Sequence, residues 1–301
     1  MDNPQKRWRE RQDAAFRLSP PECSGPEQPG TPSVVAGNRR TTTAPYARSA
    51  SPMARVTTPA DAPRNDGRPA DALRPVAVDW DPMGFALSSV TVHTGRTAVI
   101  CSVCLEEGVP KWRKGSGKGW LSADYRLLPA STPSRQPREL MKLSGRTQEI
   151  QRLIARSLRA CLDLEALGER SLHIDCDVLQ ADAGTRTASI TGAWAALALG
   201  LRRLEAQGVL SRSPLLEQVA AVSVGLVDGA GLLDLDYSED SRAEVDLNVV
   251  MNSQGQLLEV QGTAEGAPFS RQQLNALLDL ADEGLQQLRH SQREALEQAP
   301  K

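Results

Sequence analysis

From residue 64 onward, apolar positions recur with two distinct periods. In SSVTVHTGRTAVICSVCLE they alternate on either side of His93-Thr94-Gly95-Arg96, which predicts two strands joined by a tight turn. GRTQEIQRLIARSLRACLDLEAL instead places Ile150, Leu153, Ile154, Leu158, Cys161 and Leu162 on one helical face. SLHIDCDVLQAD returns to alternation, with Leu172, Ile174, Cys176 and Val178 set against His173, Asp175 and Asp177, and predicts a half-buried strand ending near Gln180. GTRTASITGAWAALALGLRRLEAQG follows as a helix apolar enough to be largely buried. VAAVSVGLVDG, GLLDLDYSED, VDLNVVMN and GQLLEVQG read as four strands joined by glycine-containing turns, and SRQQLNALLDLADEGLQQLRHSQREAL as a closing amphipathic helix. Hairpins in series mixed with helices predict an α+β fold rather than a strictly parallel sheet. No internal repeat is visible.

Residues 1–63 differ in kind. They hold ten of the twenty prolines, in stretches such as SPPECSGPEQPGTPS and TTTAPYARSASP, with almost no apolar periodicity. Such a segment buries too little surface to offset its ordering entropy, so it is expected to be a disordered leader preceding a single domain over 64–301. An interaction arm, a targeting segment, or a true start at Met53 are the other readings. The leader carries nine Lys/Arg against six Asp/Glu, leaving −5 on the remainder of a chain whose total is −2.

That balance excludes a protein drawn to nucleic acid by bulk charge alone. No apolar run approaches the ~20 residues of a membrane helix, and the first residues lack the apolar centre of a secretion signal. A soluble, cytoplasmic protein is expected. Five cysteines without framework spacing fit a reducing compartment, and three scattered histidines offer little to a metal cluster or a Ser-His nucleophile. Cys101 and Cys104 fall on opposite faces of a predicted strand, which argues against zinc.

The sharpest chemistry sits at the strand-to-helix junction DVLQADAGTRTASI. A helix start exposes unpaired N–H groups and the positive end of the helix dipole. Gly184 lets a ligand approach the backbone, Thr185 and Thr187 add hydroxyls, and Arg186 adds a bidentate fork, a combination suited to phosphate. Arg146, at the second helix start Gly145-Arg146-Thr147, could close on the same anion from the other side. Asp234, Asp236, Glu239, Asp240, Glu244 and Asp246 crowd thirteen residues. They read either as a solvated acidic loop or as a seat for an oxygen-liganded cation, Mg²⁺ or Mn²⁺. Asp175 and Asp177 are expected to pair with nearby basic groups. KWRKGSGKGW, with Lys111, Arg113, Lys114 and Lys118 among glycines and two tryptophans, reads as a flexible cationic loop fit for a phosphodiester backbone.

Six blocks, taken in order, carry a family resemblance. RNDGRPADALRPV, EEGVPKWRKGSGKGWLSADYRLLP, SGRTQEIQRLIARSLRA, IDCDVLQADAGTRTASITGA, YSEDSRAEVDLNVVM and EVQGTAEGAPF together resemble the bacterial ribonuclease PH family over roughly residues 64–295. The resemblance implies a ribonuclease PH-like α+β fold assembled as a homohexameric ring, a trimer of dimers. It also implies a phosphorolytic 3′-to-5′ exoribonuclease (a tRNA nucleotidyltransferase) that trims precursor tRNA 3′ ends, with rRNA as a further substrate, using inorganic phosphate. Phosphate binding then falls to Arg146, Gly184, Thr185 and Arg186. Catalysis falls to the two arginines with Asp240 and Asp246, and the divalent metal to that acidic pair. Arg135 and Arg138 match arginines used for tRNA and ring assembly, and Lys114 joins them as an RNA contact. Two positions depart from the pattern: Ala183 replaces the first glycine of a usual pair, and Ala130 replaces an arginine after Leu-Pro. The competing reading is a catalytically inactive RNA-binding ring subunit.

Overall fold

The computed structural model describes residues 64–140 and 142–300. The leader reading of residues 1–63, with Met53 as an alternative start, lies outside the described residues. Among the described residues, nine strands form two sheets. The first contains β1 (Val76–Trp80), β2 (Ser88–Thr94), β3 (Thr97–Glu107), β4 (Trp120–Leu127) and β5 (Arg170–Gln180), in the order β1-β2-β3-β5-β4. All its pairings are antiparallel except β4 with β5, which is parallel. The second contains β6 (Val219–Val227), β7 (Ala230–Leu233), β8 (Val245–Asn252) and β9 (Leu257–Ala264), all antiparallel in the order β7-β6-β8-β9. The α+β expectation is met.

The helix α3 (Thr185–Ala206) lies between the sheets, against β2 and β3 on one side and β6 on the other. Being covered on both sides explains why it is apolar nearly all round. Ile190, Leu197 and Leu201 are fully buried, each worth about 1.5–3 kcal/mol of transfer free energy. At Gly192 a Cβ would come within 2.5 Å of Val92 Cγ1, so the glycine sets how closely α3 approaches β2. The helix α1 (Gly145–Ala160) covers β4, and α5 (Arg271–Glu297) covers the opposite face of the second sheet, packing on β6 and β7. Among the described residues no helix is long and apolar enough to cross a membrane.

Four expectations need correction. The helix predicted over 145–167 ends at Ala160; the chain then turns, and Asp163 caps a separate turn, α2 (Leu164–Leu167), by accepting from the Glu165 and Ala166 N–H groups. The break occurs because Leu162 is taken into a bridge with Leu215, and Cys161 O accepts from Leu216 N. The strand predicted over 231–240 stops at Leu233, and its acidic half becomes the turn α4 (Tyr237–Asp240), capped by Asp236. The cationic loop is folded rather than loose. Trp112 and Trp120 meet edge to face at 4.7 Å, and Trp120 carries Arg113 and Arg159 at 5.4 and 4.5 Å.

Asp175 and Asp177 also behave differently from expectation: among the described residues neither makes an ion pair. They stand on the outer face of β5, with Asp124 of β4 directly opposite Asp175. Burial first, then the charges of Asp124 and Asp177, push the Asp175 carboxyl above the ordinary range. A carboxyl raised in the folded state contributes stability at low pH that is lost as pH rises through that raised value. Asp175→Asn should therefore raise Tm at neutral pH by about 1–2 °C, with the gain disappearing in acid. Thermal unfolding across pH checks this, and a neutral or negative shift at pH 7 would refute it.

Candidate active site

β5 ends at Gln180, and the chain needs four residues to reverse into α3. Ala183 and Gly184 both adopt left-handed backbone, with φ of 57° and 63°. For Ala183 this costs about 1–2 kcal/mol, which explains physically why a glycine suits that position. Neighbours hold the turn in place. Thr97 Oγ1 donates to Ala183 O at 2.7 Å and accepts from Asp182 N at 3.0 Å. Arg96 grips the Asp182 carboxylate with two bonds of 3.0 Å, and Arg74 Nη1 donates to Asp182 O at 2.5 Å.

Gly184 caps α3 without a side chain, leaving the first N–H groups of the helix unclaimed by any side-chain cap. A Cβ at Gly184 would stand 2.9 Å from Arg74 Nη2, an atom already locked on Asp234 Oδ1 at 2.8 Å. Gly184→Ala should therefore destabilise by about 1–2 kcal/mol through the positive φ alone and weaken binding of inorganic phosphate about tenfold by displacing the helix start. Denaturant unfolding and phosphate titration check both effects.

This turn borders a cleft of about 640 Å³. Arg146 and Thr147 from the start of α1 and Gly184, Thr185 and Arg186 from the start of α3 line it, together with Asp240 of α4 and Asp246 of β8. The two Gly/Thr/Arg helix starts thus converge on one space. Ser144 caps α1, accepting from Thr147 N at 3.1 Å, which presents Arg146 in the first turn. Arg186 is held from behind: its Nη1 donates to Gln261 Oε1 at 2.8 Å, and Gln261 Nε2 donates to Glu149 Oε1 at 2.7 Å. Thr185 Oγ1 hydrogen-bonds the buried Tyr125 hydroxyl at 2.8 Å.

The crowd of carboxylates divides. Glu239 is bound by two Arg64 bonds of 2.7 and 2.6 Å in full burial. Asp234 is bound by Arg74, and Asp236 caps α4. Glu244 is exposed. Asp240 and Asp246 remain for the cleft. Burial raises both above the ordinary carboxylate range, and the Asp240 charge raises Asp246 further, while Arg146 and Arg186 pull both back down. The acid pair and the arginine pair therefore feel each other's charge. Asp246 Oδ1 is buried without a hydrogen-bond partner, and Asn248 Nδ2 reaches Oδ2 at 3.4 Å. Two partly buried carboxylates with an unmatched oxygen fit a hard cation such as Mg²⁺ or Mn²⁺. Among the described residues no group of three or more Cys, His, Asp or Glu side chains is arranged for a metal.

Three predicted residues do not line the cleft. Arg135 and Arg138 are exposed, on a segment whose neighbours Thr132, Ser134, Gln136 and Glu139 do line it. Lys114 is exposed before the start of β4, whereas the cleft takes Arg126 and Leu127 from the other end of that eight-residue strand, which is roughly 25 Å long. None of Arg126, Tyr237, Ser223, Asn248 or the supports Gln261 and Arg74 is singled out from the sequence: Arg74 and Gln261 meet Asp234 and Arg186 160 and 75 residues along the chain, and the other four reach the cleft only through the fold.

A helix-start anion cradle faces an acid pair, set between two sheets on a central helix, an arrangement suited to an oxyanion. The family model "3' exoribonuclease family, domain 1" matches residues 72–200, and its domain 2 matches 217–284. Ribonuclease PH of Prochlorococcus marinus (strain MIT 9313) is 73% identical over 236 residues, covering 78% of this chain and 97% of that protein. Ribonuclease PH of Synechococcus sp. (strain CC9605) is 75% identical over 232 residues, covering 77% and 94%. Among solved structures, the Archaeoglobus fulgidus exosome with RNA bound to the active site superposes with a TM-score of 0.66 at 22% identity, covering 76% of this chain and 92% of that one. Rice Rrp46 superposes with a TM-score of 0.64 at 17% identity, covering 77% and 100%. The chain belongs to the ribonuclease PH family.

Proposed function

We propose that the cleft shortens RNA from its 3′ end by phosphorolysis, making this chain a phosphate-dependent exoribonuclease, a tRNA nucleotidyltransferase. The observation that carries the reading is the convergence of Arg146, Arg186 and the uncapped start of α3 on the space facing Asp240 and Asp246. Orthophosphate sits against the two guanidinium groups and the helix N–H groups, which neutralise charge that spreads over the phosphoryl oxygens during reaction. One of its oxygens forms a bond to the terminal phosphorus, and the bond to the 3′-oxygen of the penultimate nucleotide breaks. A nucleoside 5′-diphosphate leaves, and the shortened chain ends in a 3′-hydroxyl. Phosphodiester energy is conserved, so the reaction also runs as nucleotide addition.

Gln261 and Glu149 orient Arg186, and Tyr125 orients Thr185, so the anion seat is set before substrate arrives. Asp240 and Asp246 would hold Mg²⁺ or Mn²⁺, which when bound supplies charge neutralisation at the leaving oxygen. Arg135 and Arg138, beside the mouth of the cleft, suit the backbone of the tRNA acceptor end. Lys114 would touch only RNA extending well beyond the cleft.

The chain works over residues 64–301 as one catalytic unit in a homohexamer, a trimer of dimers. The edge strand β9, with Leu257 and Val260 exposed, supports association. The unpaired cysteines 101, 104, 161 and 176 suit the cytoplasm. An inactive ring subunit is disfavoured because the arginine pair and the acid pair are both present. Incubating a tRNA carrying extra 3′ nucleotides with and without phosphate tests the reading. Diphosphate release that requires phosphate supports it, and equal shortening in phosphate-free buffer overturns it.

A further inference from the structure

The face of the second sheet turned toward α3 changes character along its length. Val219 and Ala221 on β6 and Val250 on β8 belong to the apolar core, but toward the start of α3 the same face presents Ser223, Asn248 and Asp246. Ser223 is 2% exposed, and its hydroxyl has no hydrogen-bond partner among the described residues. It stands across the ladder from Asn248, whose amide is directed to Asp246 instead. Ser223 Oγ lies 3.9 Å from the place a Cβ on Gly184 would occupy, beside the uncapped first turn of α3.

A buried hydroxyl without a partner costs stability, and alanine would fit the same space without that cost. Ser223 and Asp246 Oδ1 are both unmatched yet do not bond each other, so the serine hydrogen still needs an acceptor. An oxyanion seated on the α3 start would supply one.

Resting on the phosphorolytic reading, we infer that Ser223 Oγ donates a hydrogen bond to the attacking orthophosphate and is a substrate-binding residue of this site. The terminal phosphodiester of RNA offers the same oxygen chemistry. Orthophosphate is favoured because the hydroxyl sits beside Gly184 at the uncapped start of α3.

The test uses the full chain and its Ser223→Ala variant. Thermal unfolding with inorganic phosphate titrated in the absence of RNA reads phosphate affinity directly, and steady-state trimming gives separate KM values for phosphate and tRNA. The variant should match or exceed the parent Tm without phosphate, bind phosphate about tenfold more weakly, and keep the parent KM for RNA. Unchanged phosphate affinity overturns the assignment. So does a raised RNA KM with the phosphate KM unmoved, which would give the hydroxyl to the phosphodiester. A Tm lowered without phosphate also overturns it, by showing that the hydroxyl already has a partner in the free protein. If the parent protein itself shows no phosphate-dependent shift, the phosphorolytic reading fails, a result distinguishable from failure at Ser223 alone.

Discussion

Arg186→Ala should raise the phosphate concentration needed for half-maximal trimming by about 10–100-fold and slow turnover by about 10²-fold. Arg186 combines three features: a place on the first turn of α3, a bond to Gln261 that fixes its direction, and a charge felt by both Asp240 and Asp246. Losing it removes a preorganised donor from the anion seat while leaving the buried supports of the turn in place. Arg186→Lys should recover only part of the loss, since an ammonium cannot reproduce the planar fork. Progress curves at several phosphate concentrations check this. A variant with unchanged phosphate dependence would show that the arginine serves Gln261 and Glu149 rather than substrate.

Asp246→Asn should abolish trimming to within about 10⁻³ of the parent rate. Phosphate-induced thermal stabilisation and RNA binding should survive. At neutral pH the substitution should leave stability unchanged or improved. Burial and the neighbouring Asp240 charge raise the Asp246 carboxyl in the folded state, so its ionisation works against folding once pH passes that raised value. Activity lost with folding and phosphate binding intact identifies a chemical role. Loss of all three together would make the carboxylate structural.

Both effects arise from one arrangement. The first sheet delivers the α3 start from the end of β5, the second delivers Asp246 from β8, and α3 between them closes the distance. The uncapped start of α3 and Asp246 thus come from opposite layers. Arg74 ties those layers together directly, holding Asp182 O beside the turn and the Asp234 carboxylate beyond the second sheet's β7. Breaking such a buried pair would disturb both halves at once.

Much of this was legible from local pattern. Alternation located β2, β3 and β5 and helical spacing located α1 and α5, because a strand or helix half-covered by a core imposes its own period on the chain; α3, buried on both sides, and β6, β8 and β9 were marked instead by apolar runs bounded by glycine-containing turns. The glycine and threonines before an apolar helix marked the anion seat for the same reason: the chemistry resides in consecutive residues. β1 and β4 escaped notice. β1 has only five residues, and in β4 the small polar Ser122 and Asp124 dilute the signal of Leu121 and Tyr125.

The sequence alone determined most of the elements, the Gly-Thr-Arg helix start proposed to seat phosphate, and the pool of six carboxylates. The resemblance pointed to Asp240 and Asp246 among them, but only the tertiary structure shows what engages the others. Arg64 claims Glu239 across 175 residues and Arg74 claims Asp234 across 160, leaving Asp240 and Asp246 to the cleft. Backbone conformation is set by neighbours along the chain, but charge pairing depends on distance in space, and no local pattern encodes which distant arginine will arrive.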